Sequence, residues 1–600
     1  MVHCIIDIES TGLNRFKNNI SIFGYYIPEY DYYEQVYDFN ITAQVDPKYS
    51  ANNTRNLDKI DYSGLYKRIE ESIGALPKKA DGSFDVVFIF QNGKFDSLFI
   101  QEKTGILLSL DEDVMILQYC LHMGSRKSLD FIAKQELGID TWDIPLKEKF
   151  VATEKSLAYH KEDLLNTWLC YKSLKAKVEA NPTIKKLYDK LAMPSFRFYR
   201  DVENNGIYIN MNKYKQVYSD YEDKYLELEK VLKGYADINW DSTKQLSEYL
   251  YKDCMMPVMG KTAKGAPSTD ADTLQRLADA GFELATILLE YRFYKQALKM
   301  FLIPWWDVIH NSRIYPNFNI DTVRTGRTSS SNPNLQQVPR DINLRSIFTA
   351  PKGSLFLEID HSQLELRVAS HIMNERNMIK AYKNDEDLHT KTAEIIVGHA
   401  PSKDERTMAK PINFGFLYGM QADSFPDYAY SNYGLKFTKE QGKLFRDGFF
   451  KAYPDLMAYY KLQENTCKDP MVGGATTIFG RFRPLPDLFS NNWGTRQYGV
   501  RCAINTPTQS AGSDILICGA MEVHEKLKDK GVKVVGTVHD SLLLEVRQDG
   551  TEEEIYKEIK EILEHPSLFK EFNIELKVPL KIDGEFCGNE ETGTGWGMGH

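Results

Sequence analysis

Short apolar runs that end on acidic residues punctuate this chain. Leu355–Ile359 reads as a buried strand that stops at Asp360, where a helical pattern takes over. A second apolar run, Val532–Val538, stops at His539-Asp540. Near the start, Ile5-Ile-Asp-Ile-Glu9 reads as a strand whose alternation sets Asp7 and Glu9 on one face. Val86–Phe90 runs into Gln91-Asn-Gly-Lys-Phe-Asp96, where Asn-Gly marks a turn; a hairpin loop with a solvated Asp96 is the plain alternative there. Leu157–Lys172 has helical periodicity, with Tyr159 and Asp163 on one face. Asn181-Pro182 breaks that pattern and marks a boundary. Beyond it Tyr214, Val217, Tyr221, Tyr225, Leu228 and Leu232 predict a long amphipathic helix ending near Gly234, with its aromatic stripe in the core.

At 600 residues the chain is too long for one core, and roughly three to five domains or subdomains are expected. A net charge of -10 does not advertise a polyanion partner, so any basic surface has to be local. Arg313, Arg324, Arg327, Arg340 and Arg345 supply one, against only Asp321 and Asp341. The eight cysteines are scattered singly and point to neither a zinc site nor a disulfide framework. No apolar run approaches ~20 residues and no leader pattern precedes the first strand, so a soluble, cytoplasmic protein is expected. Gly260-Lys-Thr262 fails as a phosphate-binding loop because Met255 stands where the first glycine must be; Gly260–Pro267 is expected to be a mobile tip able to brush a phosphate backbone.

If the strands ending at Asp360 and Asp540 are neighbours in one sheet, both carboxylates leave the same edge and can share divalent cations, the layout of in-line phosphoryl or nucleotidyl transfer. Taken alone, two solvated strand ends are the plainer reading, since Asp often ends strands and caps helices. The ordered set Asp7, Glu9, Asp96, Tyr159 and Asp163 resembles the DEDD 3′–5′ exonuclease domain of proofreading DNA polymerases, in its Y-x-x-x-D version. The resemblance implies that the four carboxylates hold two divalent ions and that Tyr159 orients the attacking water. Asp113 is left as structural.

Between the two later aspartates, Arg324-Thr-Gly-Arg-Thr-Ser-Ser330 and Asn332-Pro-Asn-Leu-Gln-Gln-Val-Pro339 resemble a signature of family A DNA polymerases. In that family the arginine matching Arg327 reaches the minor groove of the primer-template stem, where acceptors occur at every base pair. Asp360-His-Ser-Gln-Leu-Glu-Leu-Arg367 is similar to motif A, with His361 in place of the usual tyrosine. The match implies metal contacts at Asp360 and His361, a nucleotide contact at Gln363 and a steric gate against a ribose 2′-OH at Glu365. Ser362-x-x-Glu365 also reads as a capping box.

Arg406-x-x-x-Lys410-x-x-x-Phe414-x-x-x-Tyr418 matches motif B, and steps of four drift by only about 40° on a helix, so the four side chains form one stripe. The resemblance puts Arg406 and Lys410 on the nucleotide phosphates, with Lys410 as general acid, Phe414 against the sugar and base, and Tyr418 near the templating base. Pro411 predicts a local bend. His389 resembles another phosphate contact. Arg501, Asn505 and Gln509 step by four along a helix that faces primer-template DNA in the family. Motif C closes the set as Val538-His-Asp-Ser541, with His539 on DNA and Asp540 on metal; Ser541 stands where most members have Glu and is what single-subunit RNA polymerases carry.

The whole predicts an α/β multidomain protein: an RNase H-like exonuclease domain at 1–182, then a right-hand polymerase at 183–600 with an antiparallel palm sheet. Thumb is expected at about 205–310, palm at about 311–375 and 500–600, fingers at about 376–499, and no 5′ nuclease domain. The expected activity is DNA-templated DNA synthesis with proofreading, in a monomeric phage replication enzyme of the host cytoplasm. Two Mg2+ per site are expected, with Mn2+ able to substitute. Primer-template DNA and dNTPs are the expected partners, a replisome helicase or single-strand-binding protein further candidates, and no membrane. A single-subunit RNA polymerase and a nuclease with an inert polymerase half are the rivals.

Overall fold

The computed structural model describes residues 2–44 and 59–598. Strands β1 (Val2–Ser10), β2 (Ile20–Ile27), β3 (Tyr32–Tyr37), β4 (Val86–Phe90) and β5 (Glu112–Asp113) form a sheet of order β3-β2-β1-β4-β5. The first three are antiparallel, while β4 runs parallel to β1 and β5 parallel to β4. The hairpin alternative at Asp96 is therefore overturned: after β4, Asn92 takes φ +64° and starts helix α1 (Gly93–Thr104), with Asp96 in its first turn. A parallel pair requires a crossover, and Asn-Gly serves as a strand-to-helix corner. Asp113 caps α2 (Val114–Leu121) by accepting from the amides of Met115 and Ile116, the structural role expected of it.

Helix α3 (Glu154–Glu179) opens with a Thr153–Ser156 capping box and carries Tyr159 and Asp163. Asn181 then caps a new helix at Pro182, so the break at Asn181-Pro182 joins two helices. Helix α4 (Met193–Asn205) follows, and then α5 (Met211–Tyr235), which buries Tyr214, Val217, Tyr221, Leu228 and Leu232 as its periodicity predicts. It packs on α6 (Glu283–Ala297). Gly260–Pro267 is a small exposed hairpin, closed by a bridge between Lys261 and Pro267 and by the Thr262 amide donating to Ala266 O at 2.8 Å.

The second half of the chain centres on β6 (Ser354–His361), followed by α7 (Leu364–Ile372), α8 (Leu388–Val397), α9 (Lys403–Leu417) and the 35-residue α10 (Trp493–Leu527). Strands β7 (Val532–Val538) and β8 (Ser541–Arg547), helix α11 (Glu552–Glu564) and strand β9 (Ile582–Gly588) complete it. The sheet is antiparallel with order β7-β8-β6-β9. The strands ending at Asp360 and Asp540 are thus not neighbours, because β8 lies between them. Helix α9 runs unbroken through Pro411, which removes one amide donor without ending the helix.

One apolar core joins the halves. It contains Ile5, Phe23 and Phe90 of the N-terminal sheet together with Leu357, Ile359, Leu544 and Ile582 of the second. Helix α4 packs on both α1 and β7. Polar contacts cross the same seam. Lys94 donates to Glu203 Oε1 and to Phe318 O, both at 2.5 Å. Arg481, 1% exposed, meets Asp514 of α10 at 2.9 Å and donates to the Tyr119 hydroxyl of α2 at 3.1 Å. Removing one member of such a buried pair leaves the other charge without a partner, so Arg481→Met is expected to cost about 3–5 kcal/mol, read as a lowered urea midpoint.

Candidate functional site

Asp360 lies near the end of β6 and faces Ser541, the first residue of β8, across the ladder. His539 and Asp540 form the two-residue turn between β7 and β8, with His539 at φ +55°. The turn brings Asp540 back beside Asp360 although their strands are not adjacent. Both line a cavity of about 670 Å³ with Lys410, Phe414, His389, Gln363, Glu365, Arg327 and His539. Burial, and then the charge of Asp540, push the Asp360 carboxyl up to about 6; the Ser541 hydroxyl, which donates to Asp360 Oδ1 at 3.1 Å, pulls the other way. Burial also raises Asp540, against Arg327 and His539. Two partly desolvated carboxylates in want of counter-charge fit a hard divalent cation.

His361 needs a correction as a side-chain ligand. Alternation along β6 turns its imidazole to the face opposite Asp360, where it is 3% exposed and its Nε2 has no hydrogen-bond partner among the described residues. Burial pushes it down to about 4, so it is neutral. The capping box at Ser362-x-x-Glu365 does not form either: Gln363, at φ +54°, is the N-cap of α7 and no side chain caps it. Glu365 is instead held by the Tyr418 hydroxyl, which donates to Oε2 at 2.7 Å, and by an ion pair with Arg327.

Three members of the α9 stripe lie on the helix, and Tyr418 is its C-cap. Lys410 makes no hydrogen bond or ion pair among the described residues and lines the cavity beside Asp360 and Asp540. Phe414 lies one turn on, its ring 5.9 Å from that of His389. Asn413 fixes His389 Nδ1 at 2.8 Å, and burial pushes this imidazole down to about 4. Arg406 is engaged elsewhere, in a two-pronged pair with Asp387 at 3.0 and 2.9 Å. Asp387 also caps α8 and accepts from Gln363 Nε2 at 2.8 Å; although burial opposes it, the Arg406 guanidinium and the Thr390 amide and hydroxyl hold its carboxyl well below the usual range.

Along α10, Arg501, Asn505 and Gln509 are the solvent-reaching residues of a stretch whose other members from Cys502 to Ser510 are buried. The next step of four, Ser513, donates to Gly326 O at 3.3 Å. Gly326 sits at φ +76°, and a Cβ there would crowd Ser510 at 3.1 Å and Arg481 at 3.2 Å, so glycine suits the close approach of the Arg327 loop. The polar stripe therefore leads to Arg327 and the cavity. Of the five arginines expected as basic surface, Arg324, Arg327 and Arg340 are exposed, whereas Arg313 is committed to Glu545 at 2.7 Å and Arg345 lies over Trp596.

The N-terminal set also converges. Asp7, Glu9 and Asp163 present oxygens within 4.8 Å of one another, a donor set suited to Mg2+ or Mn2+. Asp96 is not part of this trio; it is 4% exposed, with Oδ1 accepting from the Ile8 amide at 3.1 Å. Burial dominates the electrostatics, pushing Glu9 and Asp96 up to about 8 and Asp163 up to about 6, and like charges add to the rise at Glu9 and Asp7. Trp142 Nε1 donates to Asp163 at 2.6 Å, and His160 approaches Asp7 from beneath at 3.5 Å. Lys149 donates to the Tyr159 hydroxyl at 2.7 Å.

Residues 211–591 match the model of DNA polymerase family A. The chain belongs to DNA polymerase family A. Its relatives include DNA polymerase I of Pseudomonas aeruginosa, 30% identical over 77% of this chain and 53% of that protein. DNA polymerase I of Caldicellulosiruptor bescii is 32% identical over 66% of this chain and 46% of its own length. The chain spans about half the length of these relatives. A solved structure of the POL domain of Pol1 from M. smegmatis, in complex with DNA primer-template and dNTP, superposes with a TM-score of 0.77 at 22% identity, covering 99% of this chain and 96% of that one. That likeness is one of fold.

In this family A chain the matched stretch holds the Asp360–Asp540 cavity, and the Asp7–Asp163 cluster lies outside it. Sequence reasoning passed over Lys149, Trp142 and His160, which reach their site from the end of a short helix, from a loop and from the buried side of α3, and carry no spacing signal. Asp387 could have been found, since Asp387-x-x-Thr390 has the pattern of a helix cap. The raised carboxyls carry a sign: their stabilising contribution is full below the ordinary carboxylate range and is lost as pH rises through about 6 and 8. In EDTA the melting temperature is therefore expected to fall as pH rises across that window, and Glu9→Gln to flatten the fall.

Proposed function

We propose that this chain copies a DNA template by adding dNTPs to a primer 3′ end, and that a separate 3′–5′ exonuclease site corrects it. The observation carrying the reading is the meeting of Asp360, Asp540 and Lys410, which has no ion-pair partner among the described residues, in one cavity. Divalent cations, Mg2+ or Mn2+, would supply activation of the attacking 3′-oxygen and charge neutralisation at the leaving one, held by Asp360 and Asp540. Lys410 is the cation and general acid beside the departing pyrophosphate. Phe414 and His389 flank the nucleotide, Gln363 and Glu365 meet its sugar, and Arg406 joins the phosphates by exchanging Asp387 for them. Arg327, His539, Arg501, Asn505 and Gln509 follow the primer-template.

Asp7, Glu9, Asp96 and Asp163 are the proposed holders of the exonuclease metals, and Tyr159 orients the water. On this reading residues 1–182 are the exonuclease domain and 183–600 the polymerase, with thumb, palm and fingers near 205–310, 311–375 with 500–600, and 376–499. A phage replication enzyme acting as a monomer in the host cytoplasm, beside a helicase or single-strand-binding protein, suits this organisation. No helix among the described residues is long and apolar enough to cross a membrane.

Asp360→Ala is expected to cut primer extension by about 10³-fold or more while digestion of single-stranded DNA continues; joint loss of both activities would sink the two-site reading. Asp7→Ala with Glu9→Ala should do the reverse and raise the error rate. Ser541 favours a second reading, RNA synthesis, and Glu365 opposes it. With the four ribonucleotides alone the protein should make no RNA, and Glu365→Ala should admit ribonucleotides at least about tenfold better, measured by competition against dNTPs.

A further inference from the structure

The exonuclease-like site contains a cation that the carboxylate-and-tyrosine set does not account for. Lys149 is the last residue of a short helical turn, Leu146–Lys149, and reaches into the cluster from a different segment than any of the acids. Its Nζ donates to the Tyr159 hydroxyl at 2.7 Å and lies 4.2 Å from the centre of the same ring. Asp143 holds it at 2.6 Å from the other side. A phenol free to swing about its Cβ–Cγ axis and its C–O bond has several ways to point its proton. Here the lysine occupies one lone pair of the hydroxyl oxygen, and the Tyr159 proton is left to point at Asp163, its hydrogen-bond partner.

We propose that Lys149 is a positioning residue of the exonuclease: it fixes the Tyr159 hydroxyl with its proton on Asp163 and its remaining lone pair turned to the attacking water, which it orients by accepting from it. The assignment rests on the nuclease reading above. A bland account, a surface ion pair with Asp143, leaves the contact with Tyr159 unexplained. The lysine side chain is only 19% exposed, while Asp143 is 59% exposed and would pair as well with a lysine standing in solvent. The buried side of Lys149 faces the reaction centre, where its charge opposes those of Asp7, Glu9 and Asp163. Losing it frees the phenol, and misplacement of a positioning group by about 1 Å costs on the order of 10²-fold in rate.

The test uses the full chain and a single-stranded oligodeoxynucleotide with Mg2+. Lys149→Ala is expected to lower the digestion kcat about 10²-fold with KM within about twofold, and Lys149→Arg to recover much of the loss. In a Tyr159→Phe background the same change should cost no more than about threefold, because two residues acting through one hydroxyl are not additive. Binding of the oligonucleotide in EDTA and primer extension by the same preparations should be unchanged, which reports that the variants are folded. Wild-type digestion by Lys149→Ala, a change confined to KM, or an undiminished loss in the Tyr159→Phe background would each overturn the proposal. If Asp7→Ala with Glu9→Ala also digests normally, the nuclease reading itself has failed; a dead carboxylate variant beside an active Lys149→Ala refutes the lysine role alone.

Discussion

The antiparallel register between β6 and β8 is the constraint from which the central cavity follows. Asp360 pairs with Ser541, and the residue before Ser541 is Asp540 in a two-residue turn. A slip of one residue would send Asp360 to the face that now buries Ile359 and His361 and would leave Asp540 without its counterpart. The register is held by the apolar residues behind it, since Leu357 and Ile359 sit in the core on one face and Phe356 in a second core on the other. The cavity walls raise both carboxyls above the ordinary range, and at Asp360 the neighbouring Asp540 adds to the rise, a strain that a bound cation would relieve.

Much of this was legible in the order of residues. Runs such as Val86–Phe90 and the stripe from Tyr214 to Leu232 became the expected strand and helix because their apolar spacing matches one period and not another. Alternation along one strand put Asp7 and Glu9 on one face, and the meeting of that face with Asp163 was implied by the resemblance to a proofreading domain. What could not be read was pairing between distant segments. Nothing local says that β8 separates β6 from β7, since a hairpin and a crossover leave the same apolar run. Nor does spacing reveal that Asn92-Gly93 opens a helix beside a parallel strand, or that Lys149 meets Tyr159.

Polar side chains at the cavity show a second limit. Motif spacing put Arg406 and Glu365 toward a nucleotide, and the structure finds them tied to Asp387, and to Tyr418 and Arg327. Spacing identifies which groups face a site, whereas the partner each takes depends on which charges the fold leaves nearby. His361 fails as a side-chain ligand for a simpler reason, because the alternation of a strand cannot turn two consecutive side chains to one face.

The apolar core that runs beneath both sheets has a further consequence for how such a chain can change over time. Beads on a string can be exchanged one at a time, each carrying its own interior. Here Phe90 and Ile582 share an interior, Lys94 is neutralised by Glu203 across the seam, and Arg481, paired with Asp514 on its own side, reaches over it to the Tyr119 hydroxyl. An N-terminal half taken from another lineage would have to bring matching grease and matching charges, so inheritance of the pair together is the cheaper course.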